Sequence, residues 1–440
     1  MAHDLVVVVP GFLGSVLERR GREIWNTTMA AAWTSVTSTT DLLNSLRLPE
    51  GLGDEPADGA YAADATRLVT GWHVLPGLWA GAGYHRLLAR LQRLDRPERV
   101  LTFPYDWRLS VPYNARELGR RIELTLERWR SQPGEQDARV VFIGHSMGGL
   151  IAAAYVAAYG GAEVTRRIIT VGTPFAGAVR TVKAYAGGLT PAAERLDTAL
   201  TRLTRTLPAV ANLLPSYRFA THSGVPADLR EVTLPGVPRT AAEAAFAVPD
   251  LLLKGDLTDA VHLGGRRQPT ELSAEVAGDG IAYRRRLADG TDFPAHGDGI
   301  VPAFACLPAH PAVGTRTMHF AVRHATLQND DHVLEHTVDA VDGSGVDLPS
   351  GPELTAYLPE VIRAGEPARV WISSDNATLP LTLRITHVDG RVLEPALPLR
   401  PLGDGNQGAI LRLPAGAWEV RATTVTGPPA TVADIVIAIS

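Results

Sequence analysis

The chain has 440 residues, 45% hydrophobic and 20% charged, which is too long for one ordinary core and divides naturally into a large α/β domain and a smaller one. A formal net charge of −5 gives no support to nucleic-acid binding, and the single cysteine, Cys306, excludes an intrachain disulfide. No stretch approaches the ~20 apolar residues of a membrane span, and the opening lacks a basic, signal-like segment. A cytoplasmic protein is therefore expected, with peripheral contact the one membrane role left open.

Leu5-Val-Val-Val-Val9 reads as a buried strand running into a glycine loop, Pro10-Gly-Phe-Leu-Gly-Ser15. Residues 16–75 lack clear periodicity and scatter Trp25, Trp33 and Trp72 through polar segments, as expected of a lid-like insertion. Leu87, Leu88, Leu91 and Leu94 then share one helical face. Arg99 to Arg108 reads as the next strand with its exit loop, and Asn114 to Trp129 as an amphipathic helix.

The most informative stretch follows. Val140 to Ile143 is an apolar run ending at Gly144-His-Ser-Met-Gly148, which matches the nucleophile-elbow pattern G-x-S-x-G and opens an Ala-rich helical segment. A strand, a sharp turn and a helix are what exposing a serine Oγ at the top of a sheet requires, with small residues letting strand and helix approach. Ser146 is the candidate nucleophile. The Met147 N–H opens the helix and is aimed at an oxyanion, and by position in the earlier glycine loop Phe12 supplies the second donor.

Arg167 to Val171 is a further strand, so strands and helices alternate as in a doubly wound, mostly parallel sheet. Between about residues 184 and 270 the alternation breaks down. Leu196, Leu200, Leu203 and Leu207 repeat at helical spacing there, suggesting a cap helix laid over the site, with Arg195, Arg202 and Arg205 on other faces as a solvated basic surface or a contact for lipid headgroups.

A serine nucleophile needs a base, and the base an acid that holds its tautomer, in the chain order Ser, acid, His. Asp298 in His296-Gly-Asp-Gly-Ile-Val-Pro302 is favoured over Asp279 and Asp292 because it sits in a compact glycine-flanked loop. Four histidines follow it. His319 falls within a strand, Thr317 to Val322, and His336 within the last helix; His324 lies in the loop between them and is favoured over His332 by position. No ligand spacing calls for a metal, and no cofactor is expected.

After residue 350 the texture changes to short β-branched or alternating runs, such as Arg369–Ser373, Leu381–Ile385, Ala417–Ala422 and Asp434–Ile439, punctuated by turn residues. A C-terminal immunoglobulin-like β-sandwich over 349–440 is expected, joined to an α/β-hydrolase domain over 1–348. It carries no catalytic cluster, so packing, tethering or recognition of a protein partner is its expected role.

Taken together, Val9-Pro-Gly-Phe-Leu-Gly-Ser15, Phe103-Pro-Tyr-Asp-Trp-Arg108, Gly144-His-Ser-Met-Gly-Gly149, Gly172-Thr-Pro-Phe-Ala-Gly177, Gly297-Asp-Gly-Ile-Val301 and His324-Ala-Thr-Leu327 resemble the lecithin:cholesterol acyltransferase family, which includes lysosomal phospholipase A2 and phospholipid:diacylglycerol acyltransferase. The resemblance implies an α/β-hydrolase fold, a Ser146–Asp298–His324 triad, oxyanion donors at Phe12 and Met147, an acyl-chain tunnel, and hydrolysis or transfer of lipid acyl groups. Family members that act outside the cell carry disulfides, which one cysteine cannot supply, and the C-terminal β-region lies outside the family core. Two other readings stand beside this one: an esterase for a non-lipid ester, and a regulated effector whose β-domain docks a partner.

Overall fold

The computed structural model describes residues 3–26, 36–190, 194–257, 259–277, 280–312, 314–343 and 352–439; Trp33, Asp279 and the expected boundary at 348/349 lie outside them. Six strands form the central sheet: β1 (Leu5–Val9), β2 (Val100–Thr102), β3 (Val140–His145), β4 (Thr165–Val171), β5 (Ala260–Gly265) and β6 (Arg316–Phe320). Their spatial order is β6-β5-β4-β3-β1-β2, and every neighbouring pair is parallel.

Both faces of this sheet are covered, which is why Leu5 to Val9 is apolar without alternation. Leu5, Val7 and Val9 enter one core with Leu118 and Ile122 of α2 (Val111–Arg130) and Leu150 and Ile151 of α3 (Met147–Ala158). Val6 and Val8 enter the opposite core with Leu87 and Leu91 of α1 (His85–Leu91) and Val333 and Leu334 of α4 (Asp331–Asp342). Capping chemistry sets the helix ends. Ser110 Oγ accepts from the Tyr113 N–H at the start of α2, Asp330 accepts from His332 and Val333 before α4, and Gly343 closes α4 at φ +78°. This is an α/β-hydrolase fold, and none of the described helices is long and apolar enough to cross a membrane.

The structure corrects the expected limits of the second insertion. The span 184–270 contains β5, a central strand, so the insertion ends before Ala260. Periodicity missed it because Val-His-Leu-Gly-Gly puts a histidine and two glycines where apolar residues are expected; His262 is nevertheless fully buried. The helix carrying Leu196, Leu200 and Leu203 spans Glu194–Thr204 and packs on helices Val36–Leu46 and Arg180–Ala186. Of its expected basic face, Arg205 turns back to the carbonyl of Tyr185. The expected first insertion, 16–75, holds nearly all of a three-stranded antiparallel sheet (Ser15–Arg19, Arg22–Trp25, Asp64–Leu68) and the first strand of a short hairpin, His73–Leu75 with Trp79–Gly81, which runs past its expected end.

The C-terminal region is built of two further sheets around one core. Leu354–Tyr357, Ala368–Ser374, Asn406–Leu411 and Arg400–Gly403 form the first; Val361–Arg363, Thr431–Ile439, Gly416–Thr424, Leu381–His387 and Val392–Pro398 form the second. Val370 and Ile372 of one sheet share a buried cluster with Leu383, Val420 and Val436 of the other. Gln268, in the loop after β5, bonds to this region by donating to the Leu354 carbonyl at 2.8 Å and accepting from the Ala356 N–H at 3.1 Å.

Candidate active site

Ser146 stands between β3 and α3 at φ +52°, a backbone conformation costly for a residue with a Cβ and held by its surroundings. The neighbouring glycines are a steric requirement. A Cβ on Gly148 would lie 2.2 Å from the Val9 carbonyl oxygen, and one on Gly144 would lie 2.4 Å from the Gly149 Cα.

Asp298 and His324 reach the same point from loops that follow β5 and β6 in the chain. His324 Nε2 is 3.0 Å from Ser146 Oγ, and His324 Nδ1 is 2.7 Å from Asp298 Oδ2. Asp298 is itself fixed: its Oδ1 accepts from the Ile300 and Val301 N–H groups at 2.9 and 2.7 Å, and its carbonyl accepts the His324 N–H at 2.8 Å. A carboxylate can only accept, so Nδ1 carries the imidazole proton and Nε2 faces the serine hydroxyl as an acceptor. The other candidates are elsewhere. His332 is exposed on the first turn of α4, His319 contacts Cys306 and the Ala303 carbonyl, His336 bonds back to the His332 carbonyl, and Asp292 is exposed.

Gly11 abuts the candidate nucleophile, since a Cβ there would lie 2.9 Å from Ser146 Cβ. The next residue, Phe12, and Met147 on the other side of Ser146 both offer backbone N–H groups that donate to no other group among the described residues. The Phe-Pro-Tyr-Asp-Trp-Arg segment secures this loop. Tyr105 Oη donates to the Pro10 carbonyl at 2.8 Å, Ser15 Oγ accepts from the Tyr105 N–H, and Trp107 Nε1 donates to the Ser15 carbonyl. Arg108, fully buried, grips Asp106 with Nε and Nη2 at 2.9 and 2.6 Å, holding the segment in shape.

Tyr84 is a part of the site that motif reading missed. The Gly11 N–H donates to Tyr84 Oη at 2.6 Å, and Tyr84 Oη lies 2.8 Å from His145 Nδ1. An amide can only donate, so the phenol accepts from Gly11, and its own proton is free to be given to Nδ1 of a neutral His145. Burial, reinforced by the nearby His324, pushes His145 well below the ordinary imidazole value, and burial raises the Tyr84 phenol. One hydroxyl thus ties the Gly11–Phe12 loop to the elbow. Tyr84→Phe leaves a buried N–H and a buried ring nitrogen unpaired, so a stability loss of about 1–3 kcal/mol is expected, with a roughly tenfold fall in turnover as Phe12 drifts. Urea unfolding and ester hydrolysis read both, and an unchanged variant on each count refutes the linkage.

Ser146 has no exposed surface and His324 is 1% exposed. The cover over these side chains includes the hairpin: Trp79 sets its ring edge-on to His324 (centroids 5.0 Å apart) and to Phe12 (6.0 Å). A cavity of about 40 Å³ lies beside His324 and Asp298, and Leu78, Trp79, Arg180, Arg323, Glu360 and Asp434 also line it. Glu360 and Asp434 belong to the C-terminal region and were invisible to sequence patterning.

A parallel sheet of α/β-hydrolase type thus carries a strained serine at the β3–α3 turn, a histidine on its Oγ and an aspartate behind the histidine. The chain is similar to the lecithin:cholesterol acyltransferase family, whose model matches residues 82–232, the third of the chain that holds the Tyr-Asp-Trp-Arg segment and the elbow. No curated protein matches the chain. Among solved structures it is similar to the Bacillus licheniformis lipase BlEst2 in its propeptide form (12% identity over 99% of this chain and 74% of that one, TM-score 0.35). It is also similar to the phospholipase PlaB from Legionella pneumophila (9% identity over 83% and 88%, TM-score 0.31). Similarity at that level carries no argument about activity, which rests on the site.

Proposed function

We propose that the protein is a serine acyl hydrolase of lipid esters, working through Ser146, His324 and Asp298 and a covalent acyl-enzyme. The observation that carries this reading is the buried line Ser146 Oγ–His324–Asp298, at 3.0 and 2.7 Å. His324 Nε2 takes the hydroxyl proton as Oγ attacks the ester carbonyl, and the Phe12 and Met147 N–H groups hold the developing oxyanion. His324 returns the proton to the departing alcohol. Water, activated by the same imidazole, then releases the acid; an acceptor alcohol in its place makes the reaction a transfer. A lipid acyl group is favoured by the similarity to lecithin:cholesterol acyltransferase across 82–232 and by the apolar cover of Leu78 and Trp79. Since Ser146 is inaccessible, substrate entry requires part of its cover to move, and the Trp79 hairpin beside His324 is one element of that cover. We read the C-terminal region as an immunoglobulin-like β-sandwich and the two parts as separate domains.

A fluorophosphonate probe tests the chemistry and a p-nitrophenyl ester series tests the substrate. The intact protein is expected to label and Ser146→Ala to lose both labelling and hydrolysis; an unlabelled wild type under all detergent and lipid conditions refutes the serine mechanism. Hydrolysis is expected to favour acyl chains of eight carbons or more (on the order of a lipid chain, filling an apolar site), and a maximum at acetate overturns the lipid reading in favour of a small-ester hydrolase.

A further inference from the structure

Two arginines brace the loops that carry the acid and the base. Arg323, immediately before His324 and 6% exposed, donates Nη1 to the Ala356 carbonyl at 2.8 Å and pairs through Nε with Asp434. Its guanidinium also packs on Gly299, where a Cβ would lie 3.2 Å from Nη2. Arg180 donates to the Gly299 carbonyl at 3.3 Å, beside Asp298, and to the Gly77 carbonyl at 3.0 Å, at the turn of the Trp79 hairpin; its ion-pair partner is Glu360. Both carboxylates come from the C-terminal region. Asp434 sits on the strand Thr431–Ile439, whose Ile435 and Ile437 pack on Val74 of the same hairpin.

We propose that the C-terminal region is part of the active site, with Asp434 and Glu360 as positioning residues that hold the base loop and the acid loop through Arg323 and Arg180. An arginine cannot shed its charge, so a buried guanidinium that loses its partner either stays as an uncompensated cation or pulls its loop toward water. Here that cation would border the cavity shared with His324, whose ring must become positive as Ser146 attacks. The charged and titratable groups around that imidazole include Asp298 on Nδ1, His145 with its ring 5.5 Å away, Tyr84 and the hairpin's His73 behind it, and Arg323, Arg180, Glu360 and Asp434 along the cavity; Lys183, paired with Glu271, stands further out. Each of the two arginines is matched by one C-terminal carboxylate, so removing either carboxylate leaves one guanidinium without its counter-charge beside the candidate base. This role rests on the serine-hydrolase reading above.

The test is Asp434→Asn in the full chain, assayed on a p-nitrophenyl ester and with a fluorophosphonate. A fall in kcat of about 10- to 100-fold with KM little changed is expected. The acid limb of the kcat/KM–pH profile should move roughly 0.5–1 unit lower, because an unmatched cation disfavours the protonated imidazole. Combining it with Arg323→Gln removes that cation and should return the limb to its wild-type position while kcat stays low, an outcome a purely structural defect does not produce. Should Asp434→Asn fail to fold, Glu360→Gln, at a more exposed site, makes the same measurement through Arg180 and Gly299. A folded variant with unchanged kcat and pH profile overturns the proposal, and so does a rise in kcat, which would make the C-terminal region a brake. A wild-type chain that neither labels nor hydrolyses refutes the hydrolase reading and this role with it; an active wild type beside an unaltered variant refutes this role alone.

Discussion

Asp298→Asn is expected to lower kcat by about 10⁴ while leaving the protein folded. The reason is local. Oδ1 of residue 298 accepts from the Ile300 and Val301 N–H groups, and an asparagine must keep its oxygen there to satisfy both. Its NH2 is then forced toward His324 Nδ1, 2.7 Å away in the native contact. A donor at that place obliges Nδ1 to accept, so the imidazole proton moves to Nε2 and points at Ser146 Oγ, where an acceptor is needed. The fold survives because the loop's backbone bonds are all retained. Steady-state hydrolysis with circular dichroism on the same sample checks it, and a folded variant within tenfold of wild type would remove Asp298 from the triad.

The second large effect is acid lability. His73 and His262 are buried, and burial lowers each from 6.5 to about 4, against a weak contact with the Gly71 carbonyl in the case of His73. His145 is also lowered, by burial and by the nearby His324. In the unfolded chain all three titrate near 6.5, so the unfolded state binds more protons below that pH. The stability from keeping them neutral is whole above about pH 6.5 and is lost progressively as the pH falls toward 4. A shift of that size corresponds to about 3 kcal/mol each for His73 and His262, together comparable to the full stability of many domains. The urea midpoint is expected to drop steeply between pH 7 and pH 4.5. A midpoint constant over that range would mean that these rings are hydrated in solution.

Neither effect was legible in the same way. The elbow was readable because its signal is contiguous: an apolar strand, glycines at 144 and 148 where a Cβ would strike backbone, and an apolar helix with no polar face. Asp298 and His324 were readable only as candidates. Loop position favoured them, but separating His324 from His332 needed the actual start of α4, which leaves His332 on an exposed first turn. β5 escaped because a central strand satisfied by tertiary neighbours can carry a histidine; Thr170 Oγ1, on the adjacent strand, lies 2.6 Å from His262 Nδ1. Tyr84 looked like one more aromatic before a helix, and its meaning lies in a hydroxyl shared with residues 73 and 61 positions away.

What the amino-acid order determined alone is therefore what neighbouring residues dictate to one another: the strand–turn–helix carrying Ser146, the glycine loop at Phe12, the helices α1 and α2, and the change to β texture after residue 350. Tertiary structure decided which distant groups meet. It brought His324 to a serine 178 positions earlier, made Tyr84 the tie between Gly11 and His145, and set Asp434 against the arginine next to the base. The division has a physical cause. Backbone conformation answers to local sterics and hydrogen bonding, whereas a buried polar group must find its partner wherever packing supplies one, and no short-range pattern encodes that place.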